Sequence, residues 1–339
     1  MGLPGAPRRT AAEGGDAMSR LIVTHLPASP RAPWLEARRA DVTASEVAAL
    51  YGRHKYLTRL QLAYNKIYGE RDSGGRPDVA KRRGNILEPA CAAAVELDHG
   101  LVPRKVRHYL RGRDPANPLI RVGATLDYEI DADGGALLDA LDKAKVPHGW
   151  GELDGLPVRL ACECKSVDRD IFDSEWADGP PVYHVYQALV QAMLGDYDGA
   201  IIAALVVNFA HDLHLYTVPR DLALETKILA DIAGFWGELD EGQLPAAEAR
   251  DNKAMAKYTR PVDGSFIDLR GDATWELALE EREALKRRIG GLEYEVDAIE
   301  ARLKETLGDH TAALVDGWSV TWKADRNGKR TLRIDRRAS

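Results

Sequence analysis

Glu163 and Lys165 stand two residues apart in Ala161-Cys162-Glu163-Cys164-Lys165, and an acidic residue, Asp127, closes the upstream segment Gly123-Ala124-Thr125-Leu126-Asp127. Side chains alternate faces along a β-strand, so Glu163 and Lys165 point one way and Cys164 points into the core. An Asp delivered from a neighbouring strand or turn completes a cluster of Asp127, Glu163 and Lys165. Two carboxylates plus the Cys164 backbone carbonyl suit a hard divalent ion, Mg²⁺ or Mn²⁺. A lysine beside them can orient or deprotonate a water. Those parts together make phosphodiester hydrolysis the expected chemistry.

Further polar residues fall in the same order along the chain. Glu88 lies mid-helix before Pro89, and Gln187 and Gln191 are spaced i, i+4, so they share one helix face. The net charge is −7, which argues against uniform coating of nucleic acid. Between Arg31 and Arg121, however, 18 Lys+Arg stand against 10 Asp+Glu. That local excess, with Arg38, Arg53 and Lys55 in it, fits a confined polyanion track. Three cysteines, with no CxxC pair, give neither a disulfide framework nor a zinc or iron–sulfur site. Core thiols in a reducing cytoplasm are the expectation.

The elements that must position these residues are read from periodicity. Thr43 and Glu46 form a capping-box pattern at the start of a short helix. Helices are expected at about Leu57–Tyr68, Val79–Leu97, Val182–Leu194 and Leu222–Leu239. Strands are expected at Val102–Leu110, Ile120–Ile130, Val158–Ser166, Ile201–Asn208 and Asp212–Val218, with a Gly/Asp-rich excursion over Asp131–Leu156. Helices and strands are mixed without strict alternation, which makes the fold α/β or α+β with a mixed central sheet. Farther on, Leu285, Ile289, Leu292, Val296, Ile299 and Leu303 follow heptad spacing, the mark of a coiled coil or long docked helix. Asn327-Gly328 centres a terminal hairpin. No apolar run is long enough to span a bilayer.

The chain resembles the phage-type YqaJ/lambda-exonuclease branch of the PD-(D/E)xK nucleases, over about Trp34 to Asn208. The resemblance rests on Trp34-Leu35-Glu36-Ala37-Arg38, Val42-Thr43-Ala44-Ser45-Glu46-Val47, Arg83-Gly84-Asn85-Ile86-Leu87-Glu88-Pro89, Gly123 to Asp127, Cys162 to Lys165, and Tyr186-Gln187 with Gln191-Ala192-Met193. It implies a restriction-endonuclease-like core and a 5′→3′ exonuclease that processes duplex DNA ends for recombination. By the same resemblance Asp127, Glu163 and the Cys164 carbonyl hold one metal, and Glu88 serves a second metal or acts through water. Lys165 activates the nucleophile and Gln187 supports it. Arg38 and Ser45 hold a 5′-terminal phosphate, with Arg53 and Gln191 near the DNA. A ring of three subunits and a single-strand annealing protein are the implied partners, in the cytoplasm of a bacterial or phage-infected cell. A restriction- or repair-type endonuclease on the same fold, or an inactive DNA-end-binding module, are the alternatives. The expected organisation is a leader over 1–22, the nuclease domain over 23–243, a linker over 244–272, a long helix over 273–307 and a terminal hairpin over 308–339.

Overall fold

The computed structural model describes residues 21–27, 31–69, 79–151, 153, 155–207, 211–259 and 262–336. Residues 1–20 of the expected leader and 70–77 of the Gly-rich loop lie outside them. Ile22, placed in the leader by sequence, opens strand β1 (Ile22–Pro27). The chain divides into two compact units, Met1–Arg260 and Pro261–Ser339.

The first unit opens with β1, helix α1 (Arg31–Arg39), strand β2 (Val42–Thr43) and a single helical turn α2 (Val47–Leu50). Helix α3 (Arg59–Tyr68) starts where Thr58 accepts the Gln61 N–H, and it buries Leu60, Leu62 and Ala63. Helix α4 (Val79–His99) runs 21 residues and keeps Pro89 inside it. Strands β3 (Pro103–Lys105), β4 (His108–Asp114), β5 (Asn117–Thr125) and β6 (Tyr128–Asp133) follow. The strand expected over Ile120–Ile130 therefore breaks at Leu126-Asp127, which frees Asp127 from ladder pairing.

Helix α5 (Gly134–Lys143) occupies the Gly/Asp-rich stretch that sequence left without a helix. Asp133 caps it, its carboxylate accepting from the N–H groups of Gly135 and Ala136. Next come β7 (Pro157–Asp168), the short helix α6 (Arg169–Glu175), α7 (Val182–Gly195), β8 (Gly199–Val207), β9 (His211–Pro219), α8 (Leu222–Asp240) and the single turn α9 (Met255–Tyr258).

These strands form two mixed sheets. One has the order β1-β4-β5-β2, the other β3-β6-β7-β8-β9. Only the β2–β5 and β7–β8 pairs are parallel. Strand β8, Gly-Ala-Ile-Ile-Ala-Ala-Leu-Val-Val, is buried on both faces, as its unbroken apolar run requires. Its Ile201, Ala203 and Leu205 pack with Leu160, Cys162 and Cys164 of β7 against α4 and α5. Its Ala200, Ile202 and Ala204 pack with Ala161 against α7 and α8. The mixed sheet flanked by helices is the fold class expected from the sequence.

The second unit holds helix α10 (Ala273–Leu307) and an antiparallel sheet of β10 (Ala312–Val315), β11 (Trp318–Ala324) and β12 (Arg330–Arg336). Asp272 caps α10 through the N–H of Thr274. The expected terminal hairpin is β11–β12, to which β10 adds a third strand that the sequence reading missed. Arg330 ties this sheet to the end of α10 by donating to the carbonyls of Gly308 and His310, at 2.7 and 2.6 Å.

Candidate active site

The alternation along β7 puts Cys162 and Cys164 toward α4 and Glu163 and Lys165 toward α7. Glu163 is only 2% exposed, yet both its oxygens are occupied. Gln187 Nε2 donates to Oε1 at 2.6 Å, and Gln191 Nε2 donates to Oε2 at 2.6 Å. Lys165 Nζ forms an ion pair with Oε1 and lies 3.4 Å from Gln187 Oε1. Both glutamines thus serve the same carboxylate, one on each oxygen. Their i, i+4 spacing puts them on the α7 face that covers β7.

Asp127 sits in the gap between β5 and β6, where its Oδ2 accepts the Cys164 N–H at 3.1 Å. Burial, reinforced by the Glu163 charge, pushes its carboxyl well above the ordinary carboxylate range. Burial alone would lower the Lys165 ammonium, but the Glu163 and Asp127 charges outweigh it and hold it above its usual value. Lys165 therefore keeps its proton at neutral pH. Glu88, half-buried on α4, is close enough for its charge to raise Asp127, but its carboxylate is paired with Lys105 of β3. That lysine, which the sequence offers only as part of the basic excess, stacks 4.7 Å over the Tyr128 ring.

These residues fit a hard divalent cation. Their donors are oxygens, and the Asp127 carboxyl, pushed up by burial and by Glu163, has no ion pair among the described residues. Gln191 Oε1 is also a buried acceptor without a donor among the described residues. Among those residues no group of three or more His, Cys, Asp or Glu could hold a metal by itself.

The cysteines are free thiols, all buried. Hydrogen bonding among Cys91, Cys162 and Cys164, together with burial, pushes the Cys91 and Cys164 thiols up, so they are inert core groups. In the His211-Asp212-Leu213-His214 segment, His214 and Arg169 both pair with Asp212.

Arg38 and Ser45 lie beside the C-terminal end of β5, where Thr43 pairs with Gly123. The Arg38 guanidinium stacks 4.9 Å from the Trp34 ring, and Trp34 Nε1 donates to the Thr125 hydroxyl at 3.4 Å. The helix expected to start at Thr43 is displaced: residues 44–46 form a turn and α2 begins at Val47. Glu46 still reaches back to the Thr43 N–H at 2.8 Å, but the Thr43 hydroxyl donates to that same carboxylate instead of capping. Buried Lys66 pairs with Glu46, which draws the local chain into the turn. Ser45 consequently offers a half-exposed hydroxyl, 3.2 Å from Thr43 Oγ1, and no helix start.

The basic excess of the N-terminal half is largely neutralised. Asp41, fully buried, takes Arg111 and Arg113 and accepts the Tyr109 hydroxyl at 2.9 Å. Arg59 pairs with Glu238, Arg83 with Asp168 and Arg104 with Asp131. Arg38 and exposed Arg53 have no ion pair among the described residues. Near Arg53 the rings of His54, Tyr56 and Tyr183 cluster, and Tyr56 is 70% exposed. His184 adjoins Tyr183, at 4.3 Å between centroids; burial, aided by the Lys165 charge, depresses its imidazole to about 2. Sequence spacing gave no hint of this aromatic group because its members come from two distant segments.

Residues 33–198 match the YqaJ-like viral recombinase domain. The chain carries a YqaJ-like viral recombinase domain. The match spans nearly the residues on which the sequence resemblance rests, and it contains Arg38, Ser45, Glu88, Asp127, Glu163, Lys165, Gln187 and Gln191. No curated protein sequence matches the chain. Among solved structures, the alkaline exonuclease LHK-Exo from Laribacter hongkongensis is 18% identical, with a TM-score of 0.43, covering 67% of this chain and 99% of that one. LHK-Exo in complex with dAMP gives the same values. A phage-related exonuclease from Haemophilus somnus 129PT is 14% identical, with a TM-score of 0.37, covering 60% and 96%. Within the YqaJ-like domain of this chain, α7 and β7 supply the polar cluster and α1 supplies Arg38. Among the described residues no helix is long and apolar enough to cross a membrane.

Proposed function

We propose that this chain is a divalent-metal-dependent deoxyribonuclease, a phage-type 5′→3′ exonuclease that processes duplex DNA ends for recombination. The carrying observation is the buried Glu163 carboxylate, held on both oxygens by Gln187 and Gln191 and paired with Lys165, beside an Asp127 carboxyl that burial and Glu163 keep strained. A Mg²⁺ or Mn²⁺ ion held by Asp127, Glu163 and the Cys164 carbonyl would stabilise the charge that develops on the phosphate. Glu88, once released from Lys105, is the residue for a second ion. The protein's own groups do the rest. Lys165 Nζ, still protonated, orients the attacking water and the phosphate, and Gln187 Oε1 fixes where that ammonium points. Arg38, Ser45 and Arg53 receive the 5′ end, the guanidinium of Arg38 taking the terminal phosphate bidentately.

The YqaJ-like match supports this reading. Assembly as a three-subunit ring, work with a single-strand annealing protein and residence in a bacterial or phage-infected cytoplasm follow from the family resemblance.

The test is digestion of linear and covalently closed duplex with and without a chelator. Hydrolysis of linear DNA should need Mg²⁺ or Mn²⁺, and calcium should not support it. Asp127→Asn and Glu163→Gln should each abolish hydrolysis while DNA binding persists in a gel-shift assay. Turnover retained in both variants sinks the site assignment. Equal cutting of closed circles replaces the exonuclease by an endonuclease.

A further inference from the structure

We propose that α10 pairs with α10 of a second copy of this chain, antiparallel, with the two-fold axis passing between Gly290 and Gly291. The helix is 35 residues long, and its heptad face is uncovered. Leu285, Ile289, Leu292, Val296 and Ile299 are 50–55% exposed. Aliphatic side chains left half in water along one stripe of a helix have a large free-energy gain from burial. The helix also has a weak centre. Gly290 and Gly291 sit side by side in it, each costing about 1 kcal/mol relative to alanine. They lie at b and c, away from the stripe, so an isolated α10 is least supported where its seam is most apolar.

Charge decides the occupant and its direction. With Ile289 and Val296 at a and Leu285 and Leu292 at d, the g positions hold Glu281, Arg288, Glu295 and Arg302, and the e positions hold Lys286, Glu293 and Glu300. In the antiparallel pair, Ile289 faces Leu292 of the second copy and Leu285 faces Val296. The flanking g residues then meet as Arg288 with Glu295 and Glu281 with Arg302, and the e residues meet as Lys286 with Glu293. Every charged pair is of opposite sign, and two-fold symmetry makes each occur twice. A parallel, in-register pair keeps Glu281 with Lys286 and Arg288 with Glu293, but sets Glu295 against Glu300. It also stacks the two Arg282 guanidinium groups inside the seam. Like charges so placed select against it. In the antiparallel register Arg282 faces Ile299 and can extend its stem along it.

The proposal is independent of the nuclease reading and is tested on the full chain by analytical ultracentrifugation. Lys286→Glu should weaken association about tenfold, because two attractive contacts become repulsive. The swap Lys286→Glu/Glu293→Lys should restore it, since each reversed charge again meets its opposite. In a parallel pair the swap breaks both the Glu281–Lys286 and the Arg288–Glu293 contacts, so weaker association in the swap than in the single variant overturns the orientation. Ile289→Asp, on an exposed position that leaves the fold intact, should reduce the mass. An unchanged mass there overturns the pairing, whether the stripe is covered by the rest of the chain or by another protein.

Discussion

Gln191 spans two strands: its Nε2 donates to Glu163 Oε2 at 2.6 Å and to the Thr125 carbonyl at 2.9 Å. Gln191 is 1% exposed, so removing it leaves the buried Glu163 oxygen and the Thr125 carbonyl without that donor. Gln191→Ala should lower the melting temperature, costing about 2 kcal/mol, and reduce turnover roughly tenfold or more. Gln187 is half-buried and holds the other oxygen. Gln187→Ala should reduce turnover with little change in thermal melting. Thermal unfolding and single-turnover cleavage of the two variants separate the roles.

Lys165→Met should remove hydrolysis and leave DNA binding. Lys165→Arg should not rescue it, because a planar fork cannot reproduce a point donor between Glu163 and Gln187. Activity in Lys165→Arg near the wild-type level would remove Lys165 from the reaction.

Arg38→Ala should slow digestion of 5′-phosphorylated ends most and narrow their advantage over 5′-hydroxyl ends. A guanidinium–phosphate contact is charge-assisted and bidentate, whereas a hydroxyl end offers no such partner. DNA binding should weaken as salt rises, since phosphate contacts release counterions. Comparing initial rates on the two kinds of end checks this.

Burial alone would raise the Glu46 carboxyl, but Lys66 and Arg38 hold it below its ordinary value. Because the folded-state pKa lies below that of the unfolded chain, the stabilisation is complete above the unfolded value and is lost as pH falls through the folded one. Lys66→Met leaves a buried carboxylate without its cation, 2.6 Å away in the native protein, and should cost about 3 kcal/mol at neutral pH. Its destabilisation relative to wild type should shrink in acid, where Glu46 protonates. Urea unfolding at several pH values measures it.

A Cβ at Gly123 would come within 1.8 Å of the Tyr109 hydroxyl and 3.0 Å of Asp41 Oδ2. Gly123→Ala should therefore cost about 3 kcal/mol or more, by forcing the ring off its bond to Asp41. A melting temperature within a degree or so of wild type would show that the ring can move freely.

Much of the site is legible in the sequence because its signals are local. Strand alternation suffices to put Glu163 and Lys165 on one face, and helical spacing suffices to put Gln187 and Gln191 on another. What joins those faces is long-range. That Lys105 would occupy Glu88, or that Asp41 would gather Tyr109, Arg111 and Arg113, depends on strand register, and a single sequence carries no local sign of it. Helix α5 was hidden for a different reason: its glycine-rich start reads as a loop, and only the Asp133 cap marks it. The turn at Ala44 to Glu46 was misread because the capping pattern is real, but buried Lys66 competes for the Glu46 carboxylate.

Thr125 joins two bonds already described, taking the Trp34 indole on its hydroxyl and the Gln191 amide on its carbonyl. The guanidinium of Arg38 rests on that indole, and Glu163 is held by that amide. The span from Arg38 to Glu163 is therefore a caliper with one fixed jaw at each end and a single residue as its pivot. In an enzyme that grips a strand terminus at one jaw and cuts at the other, such a caliper sets the length of each fragment released. Cleavage would then proceed in a constant step, and Thr125→Val, which slackens only the Trp34 side, should blur that step before it lowers the rate.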